Sequence, residues 1–591
     1  MSVDQVNDAI QRWRNTPGGG LKQEDHQLFN KIGFAYLAQG DSARLLKHIQ
    51  DEKNKVFVSS MGCGLLAPIA NGIIRKEKGH DHCQTAMTHL TKICSPNELL
   101  SSLLEVLENT DPDVIADTVI ALAPHLQTAL LRMDEDKAAS LGLALSALRK
   151  QVSRLPVPYT QQQEATDDYG LCRCCSALTT FVKPFVEEVK ESNSGGTTAE
   201  LKTELLTFCM GMLREPLLQA QLDQARKSPL RCFATEILVT LSAIQEPHSN
   251  LLFYTPLKRG ILLDQTQFKE SKACLAYLLF VQLITKDSFP VVFSPVFVLQ
   301  CNMEYIHVLL SRKSESFLLK GLALCEKSLE NVQDDSLPVD LLELTSFHSV
   351  PQILREILTD CPMQHLRERG LQVFQLFINK LDAEAKHKFF RCMLKTSHHA
   401  GVEGYITKNI KNQVEFSMKP GNGNGWFLGV AFLPLLELAL CLPQGTNTDL
   451  LHGMDRIMEC LNLLRYLLIR DKEWKSNTSM WTELCRIKDE YLKTLRVCLS
   501  ISRAYYISEV KALREDQKLK GKEARAAVRS TKLVKGITVR NERVSEMSPE
   551  CQYQVLQSAL VTFDLMESLI VRVEEITEEK IKTNNRQGAN Y

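Results

Sequence analysis

Glycine and proline are scarce in this chain, 28 and 21 among 591 residues. An all-β fold rich in tight turns needs more of both, so the shortage argues for helices. An excess of one charge is missing as well: Lys plus Arg and Asp plus Glu each number 70, for a formal net charge of zero. Dedicated binders of nucleic acid or of anionic membranes usually carry a basic excess, so neither partner is expected. The most membrane-like stretch, Trp426 to Pro443, is short and interrupted by Pro434 and Glu437, which suits a buried helix better than a bilayer span. Met1 to Leu21 is polar, with Arg12 and Arg14 apart from any apolar run, so no secretory signal is expected. The 18 cysteines then read as thiols of a reducing compartment. Most sit singly within apolar runs, as at Cys209, Cys232, Cys274, Cys325 and Cys460. The expected location is the cytoplasm, with a nuclear pool.

Catalytic signatures are missing too. Gly421, Gly423 and Gly425 spell GxGxG, but no strand precedes them and the dinucleotide fingerprint is incomplete. Gly521-Lys522 is followed by Glu523, so there is no phosphate-binding loop of the GxxxxGK[ST] kind. No GxSxG, HExxH or kinase set occurs. His398 and His399 have neither a nucleophile nor a pocket assigned to them. Cys172, Cys174 and Cys175 cluster, yet a zinc site needs four converging ligands and a helix would turn Cys174 away from the other two. His80, His82 and Cys83, with His89, are a slightly better local set, but no fourth ligand has convincing spacing. A metal-dependent activity there is the rival reading from the enzyme class. The expectation is a protein that is not an enzyme and holds no cofactor or metal.

What the chain does contain is helical periodicity nearly throughout. Leu99, Leu100, Leu103, Leu104 and Leu107 form one stripe; after a turn at Asn109 to Pro112, Val114, Ile115, Val119, Ile120 and Leu122 begin another. Asp111 before Pro112 suits a helix start. Phe289 to Leu299 has strand-like character, but Pro290 and Pro295 favour an irregular connection. A weak repeat of period 49 aligns Tyr305, Val308 and Leu309 with Leu354, Ile357 and Leu358, and Lys320-Gly-Leu322 with Arg369-Gly-Leu371. Helix pairs of this length are the unit of HEAT and armadillo arrays. The expected fold is therefore all-α, an irregular HEAT-like α-solenoid of antiparallel helix pairs, with separate helical bundles as the alternative.

Composition divides the chain into N-terminal repeats (1–190), a polar linker (191–199), central repeats (200–345), C-terminal repeats (346–510), a basic insertion (511–545) and a closing helix (546–580). Lys419 to Gly425 reads as a loop. Lys511 to Arg543 holds eleven Lys/Arg against four Asp/Glu and few large apolar residues, so it reads as mobile at least in part. Lys518, Lys520, Lys522, Arg525 and Arg529 would suit an anionic surface, but no aromatic residue lies between Tyr506 and Tyr553 to stack on a base; a solvated loop is the plainer reading. Apolar periodicity resumes at Val555, Leu556, Leu560, Phe563, Leu565 and Leu569.

A solenoid without a catalytic set works by presenting surface. In Asp455 to Arg470, Ile457, Met458, Leu461, Leu464 and Leu468 form the inward stripe, leaving Arg456, Leu463 and Arg470 nearly opposite with Tyr466 alongside. In Gly401 to Phe416, Val402, Ile406 and Ile410 point inward and Lys408, Lys411, Asn412 and Glu415 form a polar ridge. Trp426, Trp474 and Trp481 lie between or beside these helices. For each helix the alternative is a solvated charged face.

Ordered strings along the chain go further. LPVPY (Leu155 to Tyr159), DDYGLCRCCSAL (Asp167 to Leu178), KPFVEEV (Lys183 to Val189), NIKNQ (Asn409 to Gln413), RIMECLNLLRYLLI (Arg456 to Ile469), WTEL (Trp481 to Leu484) and TFDLMESLIVRVEE (Thr562 to Glu575) resemble the glomulin family of cullin–RING ligase inhibitors over nearly the whole length. The N-terminal 30 residues and Lys511 to Arg543 match less well, and no family role is carried to them. The resemblance implies a HEAT-like protein whose C-terminal part binds the RING-box subunit of cullin–RING ligases, with the attached cullin, and covers the face used by the ubiquitin-conjugating enzyme. It also implies links to a rapamycin-binding immunophilin, a receptor tyrosine kinase and vascular development; an adaptor bridging these partners without affecting ubiquitin transfer is the alternative function. On that reading the expected RING contacts are Lys408, Lys411, Asn412, Arg456, Leu463, Tyr466 and Arg470, chosen by helix face.

Overall fold

The computed structural model describes all residues except 1–2, 17–19, 77–78, 135, 192–195, 224–226, 255–264, 287–288, 471–477, 523–537, 540–541, 544–548 and 589–591. The described chain is helical almost throughout and divides into two compact units, residues 1–331 and 332–591. Within each unit, helices pack chiefly against their neighbours in sequence, the all-α solenoid stacking that the periodicity predicts.

In the first unit the leucine stripe forms the helix Pro96–Glu108, burying Leu99, Leu100, Leu103 and Leu107. Its partner is Ile115–Leu131. Asp111 makes no side-chain cap; Pro112 opens a short 3₁₀ turn, Pro112–Val114, ahead of the helix. The Phe289 to Leu299 segment is no strand: Pro295 begins the helix Pro295–Leu310, and the Ser294 hydroxyl accepts a hydrogen bond from the Phe297 amide at 3.2 Å. Of the expected linker 191–199, residue 191 ends the helix Leu171–Glu191 and residues 196–199 begin the helix Gly196–Met212, while 192–195 lie outside the described residues.

The 49-residue repeat corresponds to two helix hairpins, Pro295–Leu310 with Glu315–Glu330 in the first unit and Thr345–Asp360 with Gln364–Lys380 in the second. Its glycines have a packing reason. A Cβ on Gly321 would come within 2.6 Å of Leu310, and one on Gly370 within 3.3 Å of Ile357. At both places the missing side chain lets the second helix of a hairpin approach the first.

The second unit opens with a latch. Residues 332–338 run beside the end of the helix Gln364–Lys380, with Ser336 and Leu337 donating to the Lys380 carbonyl at 3.0 and 2.9 Å and Asp382 donating to Leu337 at 2.9 Å. Asp334 pairs with Lys380 at 2.6 Å and Asp335 with Lys386. Further helices follow at Ala383–Thr396, Ala400–Ser417, Phe432–Ala439, Met454–Ile469, Thr478–Lys522 and Pro549–Gly588. The basic segment is not uniformly irregular. Its start continues the long helix to Lys522, and Thr538–Val539 pairs antiparallel with Glu542–Arg543; Arg525 and Arg529 lie outside the described residues. In the closing helix Leu556 and Phe563 are buried as the periodicity predicts, but Leu565 is 54% exposed.

Trp426 to Pro443 forms two short helices, Gly425–Leu428 and Phe432–Ala439. The stretches long and apolar enough by composition to cross a bilayer lie elsewhere, at Glu52–Ile74, Pro112–Leu131 and Glu550–Glu578. In the first two, at least half of the apolar window is buried among neighbouring helices.

Candidate partner-binding surface

The chemistry-bearing residues do not converge. Cys172, Cys174 and Cys175 are all buried along the helix Leu171–Glu191. Burial pushes the thiols of Cys172 and Cys174 up to about 12, and the Cys174 thiol donates to the Ala116 carbonyl at 3.8 Å. Buried in this way, they pack as small hydrophobes. His80 faces Asp81 at 3.4 Å and His82 meets the Ser42 hydroxyl at 3.2 Å. Among the described residues no three His, Cys, Asp or Glu side chains gather in a metal-binding group. The glycines of 421–425 form a turn, with Gly421 at φ +85° and Asn424 capping the next helix by accepting from the Phe427 amide at 3.1 Å. The His399 amide donates to the Ser397 hydroxyl just ahead of the helix Ala400–Ser417.

What the second unit offers is a row of helices. Glu403 and Arg456 pair near the N-terminal ends of Ala400–Ser417 and Met454–Ile469, and Tyr466 bonds the Met418 sulfur near their C-terminal ends at 3.9 Å. The two helices therefore run parallel. Gln364–Lys380 stands on the other side of Ala400–Ser417: Gln375 donates to the Asn409 side chain at 3.0 Å, and the Tyr405 hydroxyl donates to Gln375. Asn379 then shares a shallow cleft with Asp334, Asp335, Lys386, Asn412 and Phe416.

Between these neighbours Ala400–Ser417 keeps one open edge. Val402, Ile406 and Ile410 are buried as the spacing predicts. Lys408, Asn412 and Glu415 are exposed and Lys411 half-buried, so the polar ridge exists as read. Phe416, 39% exposed, adds an apolar member that the periodicity missed.

The stripe on Met454–Ile469 needs correction. Arg456 is only 8% exposed and Leu463 is fully buried. The Arg456 guanidinium donates to the Glu403 carboxylate at 2.9 Å, to the Leu438 carbonyl at 3.0 Å and to the Ala439 carbonyl at 3.3 Å. The reason is lateral packing. This helix is covered by Ala400–Ser417 on one side and by Pro549–Gly588 on another, so the face opposite its main stripe is also interior. Tyr466 and Arg470 remain available, half-buried and exposed respectively. Burial and the nearby Glu415 carboxylate raise the Tyr466 hydroxyl above its ordinary value, while Arg470 opposes that shift. Glu415, Tyr466 and Arg470 thus form one neighbourhood joining the two helices. Ile469, 51% exposed, lies beside it.

Trp426 packs near His387, ring centres 5.3 Å apart, and His387 bonds the Ala431 carbonyl at 2.9 Å. Trp426 is half-buried there. Trp481 is half-buried, and Trp474 lies outside the described residues.

Stacked helix pairs whose polar residues serve capping, pairing and an open ridge define an all-α, solenoid-like scaffold. Over residues 33–559 the chain matches the family described as "Uncharacterised protein family, YAP/Alf4/glomulin". It is 42% identical to glomulin of Mus musculus over 601 aligned residues and to glomulin of Homo sapiens over 603, covering 100% of this chain and 99% of each relative. The chain belongs to the YAP/Alf4/glomulin family. Among solved structures, the karyopherin Kap121p bound to the extreme C-terminus of the protein phosphatase Cdc14p is 13% identical, covering 98% of this chain and 63% of that one at a TM-score of 0.19.

Proposed function

We propose that this protein is a non-enzymatic inhibitor of cullin–RING ubiquitin ligases. Its C-terminal helical stack binds the RING-box subunit, with the attached cullin, and covers the surface on which the ubiquitin-conjugating enzyme docks. The observation that carries this reading is the full-length similarity to glomulins. A competitor of this kind needs no chemistry, only affinity for the shared patch and bulk to exclude the enzyme. An interface of about 1,600 Å² would suffice. Thiols throughout suit a cytoplasmic protein with a nuclear pool.

The contact set we propose is Lys408, Lys411, Asn412, Tyr466 and Arg470, joined by Glu415, Phe416 and Ile469. Two apolar side chains framed by charges resemble the centre and rim of a protein interface. Arg456 and Leu463 leave the set because a partner has no access to them.

The test is to titrate the protein into a reconstituted cullin–RING ligase and follow both binding and ubiquitin transfer. Stoichiometric binding with loss of transfer is expected. Binding with undiminished transfer would replace this reading with that of an adaptor for an immunophilin or a receptor tyrosine kinase, and no binding would remove it. Lys408→Glu with Arg470→Glu should weaken binding by about tenfold or more, roughly 1.4 kcal/mol.

A further inference from the structure

The long helix Thr478–Lys522 carries an outward face that the proposed RING contact does not use. Val497 and Ile501 are 43% and 51% exposed on it. At 3.6 residues per turn, Arg486, Glu490, Val497, Ile501, Ala504, Lys511 and Glu515 all fall within about 40° of one line along the helix. Each of them is exposed. The opposite side is where this helix meets its own unit: Tyr506 packs edge-on against Phe563 at 5.2 Å, and the Cys498 thiol donates to the Thr448 carbonyl at 3.1 Å.

The order of side chains on this face is self-complementary. From the N-terminal end it runs positive (Arg486), negative (Glu490), positive (Lys493), apolar (Val497, Ile501, Ala504), polar (Ser508), positive (Lys511) and negative (Glu515), and in an antiparallel copy Lys493 meets the uncharged Ser508. Laid against an antiparallel copy with the two-fold axis beside Ser500 and Ile501, Arg486 meets Glu515 and Glu490 meets Lys511. In the same register the larger Val497 meets the small Ala504, which allows a close approach of the two helices. A parallel copy would set each charge against its own kind, which is unfavourable. Two-fold contacts require this kind of self-matching, because each residue on one copy meets its counterpart's partner on the other. Arg486 is already paired within its own unit, with Glu483 at 2.6 Å, Glu490 at 2.9 Å and Glu437 of the helix Phe432–Ala439 at 3.2 Å, but all three pairs are solvent-exposed, and exposed pairs of that kind are weak enough to be exchanged.

We propose that this face is a contact between two copies of the chain, with their 478–522 helices packed antiparallel. Self-association through it is independent of whether the open ridge binds a RING.

Sedimentation equilibrium on the full chain tests the contact, with circular dichroism as the check that each variant stays folded. The wild type is expected to dimerise reversibly, and Ile501→Asp, at the centre of the face, to weaken the dimer by at least about tenfold. Glu490→Lys and Lys511→Glu should each weaken it, while the double variant, which restores opposite charges across the axis, should return to within about threefold of wild type. A chain that stays monomeric up to about 100 μM would overturn the proposal, since that is weaker than micromolar self-recognition. A dimer indifferent to Ile501→Asp, or a double variant as weak as the single ones, would overturn it too, by assigning association to another surface.

Discussion

Arg456 shows how a single buried pair changes the meaning of a surface experiment. Its charge is neutralised by Glu403, and its second terminal nitrogen donates to two carbonyls. Removing one partner leaves the other charge buried and uncompensated. Glu403→Ala should therefore destabilise the second unit by about 3–5 kcal/mol in urea unfolding. Charge reversal at Arg456 should unfold the stack before it reports on any partner, so Arg470 is the informative position. Lys320 is the contrasting case. It is 1% exposed, its amino group bonded to the Ser316 hydroxyl at 2.9 Å and 5.6 Å over the Tyr277 ring, and burial pushes it down from 10.5 to about 8. Below pH 8 both folded and unfolded chains hold the proton, and the fold bears the full cost of the buried ammonium. Between pH 8 and 10.5 only the unfolded chain keeps it, so this residue's contribution improves as pH rises. Lys320→Met should be more stable than wild type by roughly 2–3 kcal/mol at pH 7. That advantage should shrink across pH 8 to 10.5 in paired melts.

At the scale of the element, helices were legible because apolar spacing records the side facing the core. The Leu99 to Leu107 stripe and the Val402, Ile406, Ile410 stripe both went where they pointed. Met454–Ile469 departed because a helix between two others buries more than one stripe, and a spacing rule that divides a helix into inside and outside then places Arg456 and Leu463 wrongly. The error runs the other way in Pro549–Gly588, whose Leu565 continues the apolar pattern yet faces solvent. The latch at 332–338 was invisible in the sequence, since nothing in an Asp-Asp pair states which lysines it will meet. Lys386 lies with its side chain 4% exposed against Asp335. Asp335→Ala should therefore cost about 3 kcal/mol or more, as a buried lysine without its carboxylate. Hydrogen exchange should localise the loosening to the ends of the 364–380 and 383–396 helices.

For the whole molecule, stacking by nearest neighbours predicts stability that is local to each unit. Calorimetry should resolve two transitions, with Lys320→Met raising that of residues 1–331 and Glu403→Ala lowering that of residues 332–591. A single transition moved by both variants would mean that the units melt together. The all-helical class, the hairpin length and the polar ridge at 408–415 followed from the order of residues alone, because helical periodicity, turn chemistry and the places where a glycine must stand are local properties. The family strings could be read the same way. Which of two exposed-looking arginines on one helix would be free was settled by packing. That depends on how many neighbours cover the helix, and each neighbour is contributed by residues some 50 to 100 positions away along the chain, a distance over which no local spacing carries information.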